Sequence, residues 1–188
     1  MKLYRAVPKE NLDHLTVYYR SQTARLPGNV PYFVDNLWEF CRPYDKPSRR
    51  YGVYASPTVE LALENASAQH LNKDQYITCE VAPLNPVNAF QLSVTDARHH
   101  PDIKNLQKLV HDYIYNMKKP SLGDKQFMSA LFVPGITRQE LENEILHNTE
   151  LQNFMYKAVK IVSVWTDEAI PNGELFFELE ENNSYLLI

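Results

Sequence analysis

The stretch that decides the fold is YGVYASPTVELALENA, residues 51–66. Its first five residues favour a β-strand, because β-branched and aromatic side chains are enriched in strands. Ser56 can cap a helix that has Pro57 at its first position and Glu60 in its first turn. The stretch therefore predicts a strand that leads directly into a helix, with a hydroxyl group at the junction.

Strand patterns of similar length occur on both sides of this stretch. Short β-forming runs predict strands over residues 2–6, 75–81, 127–133, 156–165, 174–179 and 184–188. Apolar residues at helical spacing predict helices over residues 31–42 and 101–117. The second helix carries the clearest apolar stripe, which we expect to be buried against a sheet: Ile103, Leu106, Val110, Ile114 and Met117.

The order of these elements predicts the fold class. Helices separate the early strands, and strands dominate the last third of the chain, which is typical of an α+β fold. We therefore expect a split, mostly antiparallel sheet with packed helices. A chain of 188 residues suits one hydrophobic core, so we expect a single domain over residues 1–188.

Composition and charge restrict the class of partner. The net charge is −4, so the chain has no general attraction to nucleic acid or to anionic lipid. No apolar run approaches the ~18 residues that a membrane span needs. Residues 1–7 have the pattern of a strand rather than of a signal peptide. We therefore expect a cytoplasmic protein, or one delivered into the cytosol of a target cell.

The two cysteines, Cys41 and Cys79, lie in apolar surroundings. This predicts two buried thiols, with one disulfide between them as the open alternative. Neither cysteine stands at metal-ligand spacing from a histidine, so we expect no metal site.

Two elements carry residues suited to binding an anion. Arg5 lies in the first predicted strand, where it either points to solvent or holds a phosphate through its planar guanidinium. Ser56 would lie beside free backbone N–H groups at the helix start, which can bind an anion, although helix capping alone also explains it. Capping explains neither Thr58 nor Tyr54, for which burial or a surface position is the alternative.

A third element, residues 140–146 (ELENEIL), is rich in carboxylates. In an extended conformation Glu142 and Glu144 would share one face and could stabilise a positive, oxocarbenium-like centre. However, Thr137 and Glu140 have the spacing of a capping box, which predicts a helix instead. Local signals slightly favour the helix, on which these glutamates would form a solvated face.

Taken in order, the three elements resemble those of the ADP-ribosyltransferase superfamily. Many members carry an arginine on an early strand, here Arg5 in LYRA, and a Ser-x-Ser/Thr element at a strand end, here Ser56 and Thr58. A Glu/Gln-x-Glu element follows near the C-terminal strands, here Glu142 and Glu144. The resemblance implies a similar split-sheet fold.

Residues 50–64 are also similar to the middle of RES-domain toxins, which are NAD-degrading members of the same broad fold. Tyr54 and Glu64 would be the counterparts of the strand tyrosine and of the glutamate on the following helix in that family. Ser129 is available as the counterpart of its late serine. The Gly-Arg-Trp element that usually precedes the strand is replaced here by SRRY, residues 48–51.

Both resemblances imply NAD as the substrate and cleavage of its nicotinamide–ribose bond, with transfer of ADP-ribose to a protein side chain or to water. Arg5 would contact the diphosphate or the nicotinamide-side ribose. Ser56 and Thr58 would support the floor of the pocket, and Tyr54 or Tyr51 would stack on the nicotinamide ring.

The implied catalytic group is a glutamate that holds the ribose hydroxyl and the cationic transition state. Glu144, with Glu142 beside it, is the candidate from the transferase-like element, and Glu64 is the candidate from the RES-like element. The order of the three elements favours Glu144 slightly.

The alternative function is a non-enzymatic interaction domain, such as an effector or an immunity-type protein that keeps the fold. Trp38, Phe40 and the many tyrosines would then contact a protein partner, because aromatic residues are enriched at interfaces. A third possibility, a phosphate or RNA contact, rests on a short basic loop for which a solvated surface is the better default: Arg42, Lys46, Arg49 and Arg50.

Overall fold

The computed structural model of the chain describes residues 2–12, 17–20, 23–67, 72–116, 126 and 128–188. The described helices are α1 (Tyr32–Cys41), α2 (Val59–Ser67), α3 (Pro101–Asn116), α4 (Arg138–Leu146) and α5 (Thr149–Ala158). The described strands are β1 (Tyr4–Pro8), β2 (Val17–Tyr19), β3 (Gly52–Ala55), β4 (Tyr76–Pro83), β5 (Ala89–Gln91), β6 (Leu175–Glu178) and β7 (Ser184–Leu187). Short 3-10 helices lie at Lys9–Asn11, Lys73–Gln75, Ala97–His99 and Ser129–Phe132.

The chain divides into two compact units. Unit 1 consists of Met1–Thr23, Asp45–Thr95 and Ala169–Ile188, and unit 2 of Ala24–Tyr44 and Asp96–Glu168. All the strands named above belong to unit 1, together with α2, and the other four helices belong to unit 2. A single domain over residues 1–188 stays a prediction.

Unit 1 contains two antiparallel sheets. One has the strand order β1-β4-β7-β2 and the other the order β3-β6-β5. Each described pair of strands is antiparallel. The chain is thus a mixed helix-and-strand protein with antiparallel sheets, as an α+β class predicts, while the ADP-ribosyltransferase-like fold stays a prediction. Two strands that the sequence analysis missed, β2 and β5, are three residues long and too short to show a pattern.

The two sheets of unit 1 share one hydrophobic core. Side chains alternate between the faces of a strand, so every second residue faces inward. The inward-facing side chains of both sheets form one cluster, whose buried members are Leu3, Ala55, Cys79, Val81, Leu175, Phe177, Leu179, Tyr185 and Leu187. Helix α2 packs against β1 and β4 of the first sheet.

Unit 2 is helical, and its long helix α3 confirms the predicted period with one exception. Ile103, Leu106 and Val110 are buried, as expected. Ile114, however, is 41% exposed, so its predicted burial was wrong. Tyr113 continues the packed face instead, with its ring edge-on to Phe154 of α5. Met117 lies outside the described residues. Unit 2 contains no described strand, and within it α3 packs against the helices α1 and α5, so the predicted packing against a sheet was wrong.

Two predicted strands of unit 2 are helices or turns. Ser129–Phe132 forms a 3-10 helix, and the Asn36 side-chain amide donates to the carbonyls of Leu131 and Val133 at 2.7 and 2.9 Å. These bonds satisfy backbone groups that a sheet would otherwise satisfy. The predicted strand over residues 156–165 is wrong because α5 continues to Ala158 and is followed by turns. Buried residues at helical spacing hold that helix in place: Leu151, Phe154, Met155 and Ala158.

The capping box at residues 137–140 decides the conformation of the carboxylate-rich element. The Thr137 side chain accepts a hydrogen bond from the Glu140 N–H, and Glu140 accepts one from the Thr137 N–H at 2.8 Å. These two bonds satisfy backbone donors at the helix start, so α4 forms. The extended alternative for Glu142 and Glu144 was therefore wrong.

Within the described ranges, no helix is both long enough and apolar enough to cross a membrane.

Candidate functional site

Arg5 lies in an apolar row of β1. It stands between Leu3 and Val7, which both pack in the core of unit 1, and opposite the buried Cys79 of β4. Because side chains alternate along a strand, Arg5 shares their inward face. Its side chain is half-buried. The alternative that Arg5 simply points to solvent therefore does not hold.

A phenol is the partner of the Arg5 guanidinium. Nη1 of Arg5 donates to the Tyr185 hydroxyl at 3.0 Å. Among the described residues, Arg5 forms no ion pair with a carboxylate. Burial raises the pKa of Tyr185, although the charge of Arg5 opposes the rise. The phenol is therefore neutral near pH 7 and supplies no negative charge to Arg5.

Tyr18 completes this group, which we call the Arg5 cluster: Arg5, Tyr18 and Tyr185. Tyr18 of β2 stands opposite Tyr185 of β7 in the antiparallel register. Their rings stack with centroids 5.1 Å apart and planes inclined by 19°. The cluster thus combines a half-buried cation with an aromatic surface, a combination that suits an anionic ligand with a planar ring.

Ser56 is next to the first strand through its backbone. The Ser56 and Tyr4 backbones exchange two hydrogen bonds, at 2.7 and 2.8 Å, so the LYRA and YASPT elements lie side by side. Directly opposed residues of an antiparallel pair point to the same side. Ser56 therefore shares the side of Tyr4, and the Arg5 side chain projects from the other face of β1. The Ser56 hydroxyl accepts a hydrogen bond from Asn65 of α2 at 3.2 Å.

The cap of α2 is Thr58, so the predicted capping role of Ser56 was wrong. The helix begins at Val59, and Thr58 Oγ1 accepts from the Leu61 N–H at 3.2 Å. The bridge to Tyr4 holds the Ser56 backbone in an extended conformation, so the helix begins only at Val59. Thr58 therefore has a local structural role, which neither burial nor a surface position alone would explain.

Tyr54 lies on the opposite side of β3 from the inward-facing Val53 and Ala55. Its ring stacks on Phe176 at 5.5 Å, and its hydroxyl donates to the Arg49 carbonyl at 3.2 Å. Tyr54 and Arg5 thus project from different faces of the two-sheet core, and the structure does not bring them together.

The composition of the basic loop at residues 42–50 suggested a solvated surface, but the structure buries part of it. Arg49 and Arg50 are both buried, with exposed fractions of 6% and 5%. The Arg49 guanidinium lies over the rings of Tyr54 and Phe176 and pairs with Glu174 at 3.1 Å. Aromatic faces and a carboxylate can hold a guanidinium in the interior, because it is planar and weakly hydrated.

The three candidate glutamates are exposed helix residues. Glu64 lies on α2, in the same unit as Arg5 and Ser56. Glu142 and Glu144 lie on α4 of unit 2, where Glu142 accepts a hydrogen bond from Arg138 at 3.0 Å. Ser129, also in unit 2, donates to the Gln126 carbonyl at 2.6 Å. None of these four side chains is enclosed as a catalytic group in a dry site would be.

Sequence reasoning missed a buried polar network in unit 2. The carboxylate of Asp102, which is 1% exposed, accepts hydrogen bonds from Trp38 Nε1 at 2.9 Å and from the Val164 N–H at 3.1 Å. The backbone N–H and the hydroxyl of Ser163 also donate to it. Trp38 is therefore a core residue, and its predicted role as a surface contact was wrong. The available signal was the polar HHPD sequence at residues 99–102, directly before the apolar stripe of α3.

The network has the composition of a catalytic triad but not its geometry. His100 Nδ1 accepts from the Asp102 N–H at 3.2 Å, and Nε2 lies 3.0 Å from the Asp167 carboxylate. The Ser163 hydroxyl lies 3.0 Å from both carboxylates rather than against the imidazole. A serine nucleophile needs a general base beside its hydroxyl. We therefore interpret the network as structural.

The described residues offer few groups suited to thiol or metal chemistry. Both cysteines are free thiols; Cys79 is buried and Cys41 half-buried. Burial raises the pKa of Cys41 to about 11, so its thiolate is scarce at neutral pH. The described ranges contain no group of three or more potential metal-binding side chains.

In comparisons with known proteins, the chain matches no family model, no curated protein and no solved structure. Membership of the ADP-ribosyltransferase superfamily therefore stays a prediction, and the function has to be inferred from the contacts of the residues themselves.

Proposed function

We propose that the protein binds NAD at the Arg5 cluster and breaks the nicotinamide–ribose bond, passing ADP-ribose to a protein acceptor or to water. The observation that carries this proposal is the Arg5 guanidinium, a half-buried cation in an apolar row whose described partner is a neutral phenol. A partly buried charge is costly without a counter-charge. The diphosphate of NAD would supply that charge, and a guanidinium can bind phosphate oxygens in a bidentate fashion.

The LYRA and YASPT elements would act together as a frame for this site. The Tyr4–Ser56 bridge fixes β1 beside the start of α2, and Ser56 and Thr58 each make one hydrogen bond to that helix. Their proposed role is to support the floor of the pocket, not to contact the reacting atoms. Tyr54 projects from the other face of the two-sheet core, so it stays outside this proposed site and anchors the loop that carries Arg49.

The reaction also needs a carboxylate where positive charge develops on the ribose. Glu144 is the first candidate to test, because the order of the three sequence elements favours it. Glu142 is the second and Glu64 the third, because α2 packs on the face of β1 that carries Tyr4 and Ser56, opposite the face of Arg5. Glu→Gln keeps the size of the side chain and removes its charge, so the catalytic position should lose turnover by orders of magnitude with little change in NAD affinity.

The test is a calorimetric titration with NAD combined with an assay of nicotinamide release. Wild type should bind NAD and release nicotinamide, and Arg5→Ala should weaken binding by about 1.5–3 kcal/mol. Arg98→Ala removes an exposed arginine that is paired with Asp96 and serves as the matched control, with unchanged binding expected. Absence of NAD binding by wild type at millimolar concentration would refute the proposal.

A second candidate function is a non-enzymatic effector or immunity-type interaction domain. The observation in its favour is that Glu64, Glu142 and Glu144 are all exposed. Aromatic side chains available to a partner include Tyr44 at 86% and Tyr156 at 68% exposure. NAD binding without nicotinamide release, in wild type and with candidate protein acceptors present, would favour this second function.

A further inference from the structure

We infer that Tyr185 is a positioning residue, which holds the Arg5 guanidinium in the orientation that receives the diphosphate of NAD. This inference rests on the proposed function and assigns a role to a residue outside the three elements discussed above. Tyr185 lies on β7, 180 positions after Arg5 in the sequence, and their side chains meet at 3.0 Å.

The surroundings of Tyr185 make it a rigid support. It is 5% exposed and belongs to the core of unit 1. Its ring stacks on Tyr18 at 5.1 Å and meets Phe177 edge-on at 6.2 Å. A ring enclosed in this way has few rotamers available, so the hydroxyl at its end has a fixed position.

The chemistry of the contact suits a support and not a competing counter-ion. A carboxylate at this place would neutralise Arg5 and compete with a phosphate group. A neutral phenol accepts one of the five N–H donors of the guanidinium and leaves the others available. Arginine otherwise loses considerable side-chain freedom on binding, so a guanidinium held in advance binds its ligand more tightly.

The experiment compares wild type, Tyr185→Phe, Arg5→Ala and the double variant in the full chain, with ADP-ribose, NAD and nicotinamide as probes. Phenylalanine keeps the ring stack and removes only the hydroxyl. We expect Tyr185→Phe to weaken ADP-ribose and NAD binding roughly tenfold and to leave nicotinamide binding unchanged, because nicotinamide has no phosphate. In the Arg5→Ala background the same substitution should have no further effect. Tyr113→Phe, which removes a hydroxyl bonded to Glu150, is the matched control.

The outcomes separate this inference from the proposed function. Unchanged ADP-ribose affinity in Tyr185→Phe overturns the inference and leaves the proposed function standing. An equal loss with and without Arg5 overturns it as well, because Tyr185 would then act on the structure in general. If wild type binds neither NAD nor ADP-ribose, both the inference and the proposed function are overturned.

Discussion

Removing the carboxylate of Asp102 is the sharpest test of how unit 2 is held together. The side chain is 1% exposed and accepts hydrogen bonds from Trp38, Ser163 and Val164. In Asp102→Ala, the indole N–H of Trp38 and the two backbone N–H groups lose their acceptor. Each buried donor left unsatisfied costs about 1–3 kcal/mol. Relaxation and entering water reduce the sum, so we expect a loss of about 3–5 kcal/mol.

The loss is measurable by urea unfolding followed by tryptophan fluorescence. Trp38 and Trp165 are both buried, and the indole of Trp165 donates to the Trp38 carbonyl at 2.8 Å, so both report on this region. Asp102→Asn keeps the shape of the side chain and one acceptor oxygen, so it should lose less stability than Asp102→Ala. Asp112→Ala removes an exposed carboxylate from the same helix and should change stability by less than about 0.5 kcal/mol. Equal unfolding midpoints for Asp102→Ala and Asp112→Ala would refute the reasoning.

Three further predictions concern other parts of the chain. Because burial raises the pKa of Cys41 to about 11, its alkylation at pH 8 should be roughly a hundredfold slower than that of a model thiol; a similar rate would contradict this. Hydrogen bonds from Thr137 lower the pKa of Glu140, so the ionised carboxylate stabilises the folded state. This stabilisation is fully present above the pKa of Glu140 in the unfolded chain, and it is lost as the pH falls through the lowered pKa of the folded state. NMR titration should show that lowered pKa and its return toward the ordinary value in Thr137→Ala. Gly173→Ala should lower the stability of unit 1 by about 1–3 kcal/mol, since a Cβ there would collide with the Leu92 carbonyl; an unchanged melting temperature would exclude that collision.

Much of the secondary structure was predictable because local signals agreed with packing. The strand–helix unit at residues 51–66 has β-formers followed by good helix formers, and β3 and α2 form there. The capping box of Thr137 and Glu140 likewise predicts α4 from local hydrogen bonding alone. The strand predicted over residues 127–133 was wrong because Asn36, distant in sequence, satisfies the carbonyl groups of Leu131 and Val133. Local propensity carries no information about such a partner.

The candidate site was predictable in part. The sequence pattern correctly directs attention to Arg5, whose inward position depends only on the alternation of β1. The partner of Arg5 was not predictable, since Tyr185 lies in the last described strand and the register of distant strands does not follow from sequence. The burial of Arg49 was not predictable for the same reason. Its partners are distant in sequence, since Phe176 lies in β6 and Glu174 directly before that strand.

The strand order of unit 1 has a consequence for the synthesis of the protein. β6 lies between β3 and β5, and β7 lies between β4 and β2, so the last two described strands occupy interior positions in both sheets. While the ribosome is still translating residues 96–168, β3 and β5 have no partner between them, and neither do β4 and β2. The described helices of unit 2 are complete before residue 169. Unit 2 can therefore fold first, while the earlier strands of unit 1 keep exposed edges until Ala169–Ile188 has left the ribosome. Exposed strand edges promote aggregation, so a chaperone would protect the chain during this interval.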